Sequence, residues 1–194
     1  MNKLYWDNRY REGETGWDVG SVSEPLKDYI DQLEDRGMKI LVPGAGNAYE
    51  AEYLFLKGFR KVHVLDISTV AIEGFINRFP DFPRSQIINE DFFRHDGKYD
   101  LIIEQTFFCA IERRLRAEYA EKAFNLLNDN GTIAGLLFNH EFGKDEPPYG
   151  GTKEEYEKYF TPFFVTEIFE NAYNSIKPRA GRELFFKFRK KKLK

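Results

Sequence analysis

Between residues 38 and 66 the chain passes through a short apolar stretch, a pair of glycines, an amphipathic stretch, a second apolar stretch and an aspartate, and few folds accommodate that order. The centre of it reads Ile40-Leu41-Val42-Pro43-Gly44-Ala45-Gly46-Asn47-Ala48-Tyr49. Gly44 and Gly46 follow a predicted strand (38–42) and precede a predicted helix (50–57), where the backbone must turn sharply beside a ligand. The next strand (61–65) runs into Asp66, about 20 residues beyond the loop, where a carboxylate can accept from both hydroxyls of a ribose. A dinucleotide fingerprint needs Gly or Ala five residues after its first glycine, and Tyr49 stands there, with Ala48 one place early. The pattern therefore points to a nucleoside cofactor without a pyrophosphate.

The rest of the chain repeats the strand–helix alternation. Ser68 caps a predicted helix (68–79), and strands follow at 86–88 and 99–104. An amphipathic helix spans 113–127, Asn130-Gly131 turns the chain, and a fifth strand covers 132–138. Thr152-Lys153-Glu154-Glu155 is a capping box that opens a helix, and two final strands, 163–169 and 183–188, have no helix between them. Continuous apolar runs suit parallel strands, whereas the last two, joined through Lys177-Pro178-Arg179-Ala180-Gly181, suit an antiparallel hairpin. The expected architecture is a Rossmann-like α/β fold: a mostly parallel seven-stranded sheet, an antiparallel C-terminal hairpin, and helices on both faces. Ahead of it lies an extension (1–37) rich in Trp, Gly and charge, whose only predicted helix starts at Ser23-Glu24-Pro25 and ends by Gly37.

With 194 residues, 42% of them hydrophobic, one domain spanning 1–194 is expected. A single cysteine, Cys109, rules out an intramolecular disulfide framework and a multi-cysteine zinc site, so no metal is expected. Net charge is −3, and the one basic run, Arg189 to Lys192 with Lys194, lacks interleaved aromatics, so it reads as a solvated tail rather than a nucleic-acid contact. Neither a signal core nor an apolar run of about 20 residues is present, and a cytoplasmic monomer without membrane partners is expected.

Asp91-Phe92-Phe93 follows the third strand, where a carboxylate can accept from an adenine amino group while a ring packs on the base. At this point the sequence resembles the thiopurine S-methyltransferase family, most closely its thiol, halide and thiocyanate methyltransferase branch. The likeness runs through Thr15-Gly16-Trp17-Asp18-Val19-Gly20, the glycine loop, Leu65-Asp66-Ile67-Ser68, Tyr99-Asp100-Leu101-Ile102, Phe107-Phe108-Cys109-Ala110-Ile111 and Pro147-Pro148-Tyr149. The resemblance implies S-adenosylmethionine as cofactor and S-adenosylhomocysteine as product. It implies that Trp6, Tyr10 and Trp17 line the cofactor pocket, with Gly44, Asp66 and Asp91 on its methionine, ribose and adenine sides. Ala45, Gly46, Ile67, Phe92 and Gln105 complete the expected cofactor side. Two positions depart from the branch: Gln105, where members often carry Tyr, and Phe138.

The activity so implied is methyl transfer to a small soft nucleophile (thiol, thiopurine, halide, thiocyanate or sulfide) by in-line displacement. Such a step asks the protein mainly to hold two partners together and exclude water. Candidate acceptor contacts are Phe107, Phe108, Phe138 and Tyr149, with Arg179 as a positive partner for an anion. His140 is the one histidine placed to act as a base, His63 and His95 read as structural, and Cys109 reads as a buried small residue. Two other functions fit the same pattern: a nicotinamide-dependent dehydrogenase, against which the terminal hairpin argues, and a non-catalytic nucleoside sensor.

Overall fold

The computed structural model describes residues 1–192; Lys194, the last of the basic run, lies outside the described residues. The elements run α1 (Lys3–Arg11), α2 (Glu24–Asp31), β1 (Lys39–Pro43), α3 (Tyr49–Leu56), β2 (Lys61–Asp66), α4 (Thr69–Arg78), β3 (Ile87–Asn89) and β4 (Tyr99–Gln105). Then come α5 (Arg116–Leu126), β5 (Leu127–Phe138), α6 (Lys153–Phe160), β6 (Phe164–Asn171) and β7 (Glu183–Lys190), with short 3-10 turns before β3 and α5. All seven strands form one sheet in the order β3-β2-β1-β4-β5-β7-β6. The first five are parallel, and β7 is antiparallel to both neighbours, as the missing helix between the last two strands required.

Both faces of the sheet are buried, and period-2 alternation sorts the side chains between them. On β1, Ile40 and Val42 join one core with Leu26, Ile30 and Leu54 of α2 and α3. Leu41 points the other way, into a second core with Tyr119 and Phe124 of α5 and Tyr156 and Phe160 of α6. Rings dominate that second core: Phe160, Phe186 and Phe188 pack with centroids 4.8 to 5.9 Å apart.

Two departures from the expected elements have physical causes. Asn130-Gly131 is not a turn ahead of β5 but an irregularity inside it: β5 starts at Leu127, the β4–β5 register slips between Tyr99 and Leu101, and Asn130 takes φ 63°. Second, the N-terminal extension holds a helix, α1, capped by the Asn2 side chain, which accepts from the Tyr5 amide at 3.1 Å. Its single buried residue is Asp7, so it shows no apolar stripe that periodicity could find.

Candidate functional site

Strand order reverses between β1 and β4, and a crevice opens beyond the carboxyl ends of the parallel strands, where open α/β sheets bind ligands. A cavity of about 440 Å³ occupies it, walled by Gly44 after β1, Asp66 and Ile67 at β2, Asp91 and Phe92 after β3, Phe107 after β4 and Phe138 at the end of β5. The N-terminal extension adds Trp6, Tyr10 and Trp17, and the β6–β7 connection adds Arg179. A recess of about 60 Å³ shares Tyr10, Trp17 and Gly44 with this cavity and contains Ala45, Gly46 and Gln105, together with the carboxylates of Asp18 and Glu50.

The glycine loop has no space for side chains. Gly44 sits at φ +56°, and a Cβ there would fall 2.3 Å from the Phe107 ring; Gly46 sits at φ +54°, and a Cβ there would fall 2.4 Å from the Tyr10 hydroxyl. Asp66 fastens this loop to β2. One carboxylate oxygen accepts from the Gly46 amide at 2.8 Å and the other from the Ser68 amide at 2.7 Å. Burial raises the Asp66 carboxyl to about 6 in spite of those bonds. Each oxygen has two acceptor sites, so both retain capacity for a ligand hydroxyl.

The aromatic wall is assembled edge-to-face: Trp6 and Trp17 lie 5.7 Å apart at 85°, Tyr10 and Trp17 5.9 Å apart at 81°. Two anchors hold this wall against the sheet. Asp7 of α1, buried, accepts from the Ser68 hydroxyl at 2.7 Å and the Val70 amide at 3.3 Å at the start of α4. Arg179, also buried, donates to the Trp17 carbonyl at 2.5 Å and to Glu183 at 3.3 Å, with its guanidinium 5.7 Å from the centroid of the Phe138 ring.

Beyond β3, Asp91 accepts from the Phe93 amide at 3.0 Å, and Phe92, almost wholly buried, stacks on Tyr119 at 5.0 Å and meets Phe107 edge-on at 5.3 Å. Phe93, the last residue of the Asp91-Phe92-Phe93 motif, lines the cavity beside it. Two expected acceptor contacts are not brought to the cavity. Phe108 is 1% exposed, packed between Tyr119, Tyr156 and Phe160 in the core, because the turn at Thr106 (φ 58°) aims Phe107 at the cavity and Phe108 behind it. Tyr149 sends its hydroxyl to the Asp145 carbonyl at 3.2 Å, outside the cavity lining. His140 packs on Phe142 and is likewise not part of that lining. Cys109 does reach the cavity; its thiol donates to the Thr106 carbonyl at 3.0 Å, and burial pushes it far above the usual thiol range. The loop after β5 supplies Phe142, Pro147 and Pro148, which nothing in their apolar character alone singled out.

Residues 1–191, nearly the whole chain, match the model of the family described as thiopurine S-methyltransferase (TPMT). The chain belongs to this family. Among its curated relatives, a probable thiol methyltransferase 2 from Arabidopsis thaliana is 31% identical, the match covering 95% of this chain and 84% of that one. Thiocyanate methyltransferase 1 from Brassica oleracea is 30% identical with the same coverage, and a thiopurine S-methyltransferase from Vibrio campbellii is 25% identical over 84% of this chain and 83% of its own. In fold, the chain superposes on the 1,6-didemethyltoxoflavin-N1-methyltransferase of Burkholderia thailandensis, a structure with bound S-adenosylhomocysteine, with a TM-score of 0.79 at 15% identity, covering 98% of this chain and 87% of that one. A TehB-like methyltransferase from Corynebacterium glutamicum gives 0.68 at 18% identity, with 97% and 98% covered. As a member of the TPMT family with the class I fold, the protein is an S-adenosylmethionine-dependent methyltransferase. No helix among the described residues is long and apolar enough to cross a membrane.

Proposed function

We propose that this methyltransferase acts on a small thiol or a thiocyanate-like anion, as a single-domain cytoplasmic monomer. The observation that carries the reading is the buried Asp66 carboxylate, tied through one oxygen to the glycine loop at Gly46 and through the other to the start of α4 at Ser68, yet facing a cavity walled by Trp6, Tyr10 and Trp17. Its retained acceptor sites suit a vicinal diol, and the ring faces suit a cation, attracting one by about 0.5 to 2 kcal/mol. When bound, S-adenosylmethionine supplies an electrophilic methyl group on a cationic sulfur and leaves as neutral S-adenosylhomocysteine. Asp66 would hold the ribose, Asp91 with Ile67 and Phe92 the adenine, and the recess at Gly44, Ala45 and Gly46 the methionine end. Gln105 supports that last assignment: its side-chain oxygen is buried without a hydrogen-bond partner beside the recess, ready for an ammonium donor.

Phe107, Phe138 and Arg179 would receive the acceptor. The names of the plant relatives support a thiol or thiocyanate over a larger substrate. Arg179 is already compensated by Glu183, so it offers hydrogen-bond donors and a weak field rather than a free positive charge. Neither a histidine nor a thiolate is offered to an acceptor here: no histidine lines the cavity, and Cys109 stays protonated. Soft nucleophiles need no base, because thiocyanate arrives ionised and a thiol of pKa ~8.5 is a few per cent thiolate at neutral pH.

The test is headspace detection of labelled methyl products from purified protein and labelled S-adenosylmethionine, with thiocyanate, iodide, sulfide and small thiols supplied separately. Methyl thiocyanate or methyl thioethers are expected, lost in Asp66→Asn together with at least tenfold of the S-adenosylhomocysteine affinity. Cofactor binding without turnover of any acceptor would sink the assignment and leave a sensor.

A further inference from the structure

The loop after β5 (139–151) forms the outer wall of the acceptor end through Phe142, Pro147 and Pro148, yet it contains no helix or strand of its own. Its first limb is held by the Asn139 amide, which donates to the Arg182 carbonyl at 2.7 Å, and by Glu141 paired with Arg113; two carbonyls of its far limb are held by one side chain. Arg116, the first residue of α5, is completely buried. Its guanidinium donates to the Tyr149 carbonyl at 3.2 Å, the Gly150 carbonyl at 2.9 Å and Glu155 of α6 at 2.8 Å. The charged plane lies 5.0 Å from the centroid of Phe108 and 5.6 Å from that of Tyr156. Beside it the Tyr149 amide donates to the Cys109 carbonyl at 2.7 Å, joining the same limb to the cavity-lining segment after β4. The two limbs of the loop then close on each other: a Cβ on Gly150 would fall 1.6 Å from the His140 carbonyl oxygen.

We propose that Arg116 is a positioning residue for the methyl acceptor, acting through the loop it clamps; this rests on the reading that the acceptor occupies the end of the cavity under that loop. A planar fork with fixed donor directions reaches two carbonyls and a carboxylate at once while stacked on a ring, which a lysine ammonium does not reproduce. The cofactor side lies elsewhere: Asp66, Gly44, Trp6 and Trp17 make no hydrogen bond to Arg116 or to loop 139–151 among the described residues. Loosening the clamp should therefore separate the two ligands, weakening the acceptor while sparing the cofactor.

Arg116→Lys keeps the charge and loses the fork. In this variant S-adenosylhomocysteine affinity is expected within twofold of the wild type, the acceptor KM raised at least tenfold, kcat changed less, and amide hydrogen exchange across 140–150 accelerated. Parallel loss of cofactor affinity, or an unchanged acceptor KM in a folded variant, overturns the proposal. Should Arg116→Lys fail to fold, Glu155→Ala removes one arm of the clamp from the rim and should show the same split at smaller size; an unchanged KM and unchanged exchange there refute the clamp. Wild-type protein that binds cofactor but turns over no acceptor would instead remove the functional reading, and with it the acceptor half of this proposal, while the exchange data still decide whether Arg116 orders the loop.

Discussion

At the scale of single residues, what was readable and what was not separates by how local the cause is. Gly44, Gly46 and Asp66 could be named because a tight loop after a strand has few solutions. Choosing between Phe107 and Phe108 required the positive φ at Thr106, which leaves no trace in residue type. Buried charges escaped for a different reason: Glu104 and Arg116 look like surface residues until their partners are known. Glu104 is wholly buried, and accepts from the Phe107 and Phe108 amides at 2.8 and 2.9 Å and from the Tyr119 hydroxyl at 2.6 Å. No cation pairs with it among the described residues, and burial raises its carboxyl from 4.5 to about 7. The folded protein thus holds a proton at Glu104 that the unfolded chain releases at lower pH. Stability from this group is full below about 4.5, falls as pH rises toward 7, and is flat above. Asp66, raised to about 6, and Glu50, raised to about 7, contribute slopes of the same sign. Glu104→Gln preserves the shape and can still accept from both amides, so its cofactor-free Tm should fall less steeply between pH 5 and 7 and match or exceed the wild type at pH 8. Parallel Tm curves for the two proteins would show that Glu104 is not protonated in the fold.

Elements were legible where burial writes a period into the chain. Strands β1 and β4 carry continuous apolar runs because both faces are covered, β2 breaks its run at His63, and α2 carries its apolar stripe at Leu26 and Ile30. By contrast α1 buries a carboxylate, and a helix of 9 residues has little stability alone. Its place is set by Asp7, whose carboxyl lies below the ordinary range: burial opposes this, but bonds from Lys3, Ser68 and Val70 prevail. Since α1 carries Trp6 and Tyr10 to the cavity, Asp7→Ala should act on cofactor affinity as well as stability. Leaving the Ser68 hydroxyl and Val70 amide unpaired costs about 1 to 3 kcal/mol. The variant is expected to keep its sheet by circular dichroism, to lose at least fivefold in S-adenosylhomocysteine affinity, and to be cleaved sooner at Arg9 or Arg11 by trypsin. Unchanged affinity with faster cleavage would mean that the aromatic wall is held without α1.

For the whole molecule, sheet order and site location follow from the same topology, so the stability of the aromatic core and the capacity to bind should be separable by mutation. Phe186 on β7 is fully buried among Phe160 and Phe188, does not line the cavity, and faces the core opposite α2 and α3. Phe186→Ala should lower stability by about 3 to 5 kcal/mol, the usual range for a buried ring reduced to a methyl. Cofactor binding acts in the opposite direction by linkage: S-adenosylhomocysteine at 100 times its Kd adds about 2.7 kcal/mol. At about 2 to 4 °C per kcal/mol for a chain of this size, that is a rise in Tm of about 5 to 11 °C. The ends of the parallel strands and the loop pinned by Asp66 line the crevice proposed for the ligand, whereas β7 contributes to the core beyond β5, so the two effects should add. The variant should therefore melt lower than the wild type yet gain the same increment from the ligand, measured by calorimetry at matched saturation. An increment reduced by half or more in Phe186→Ala would show that the hairpin core and the cofactor crevice are energetically one unit, and that the aromatic packing on the far side of β5 helps set the geometry of the site.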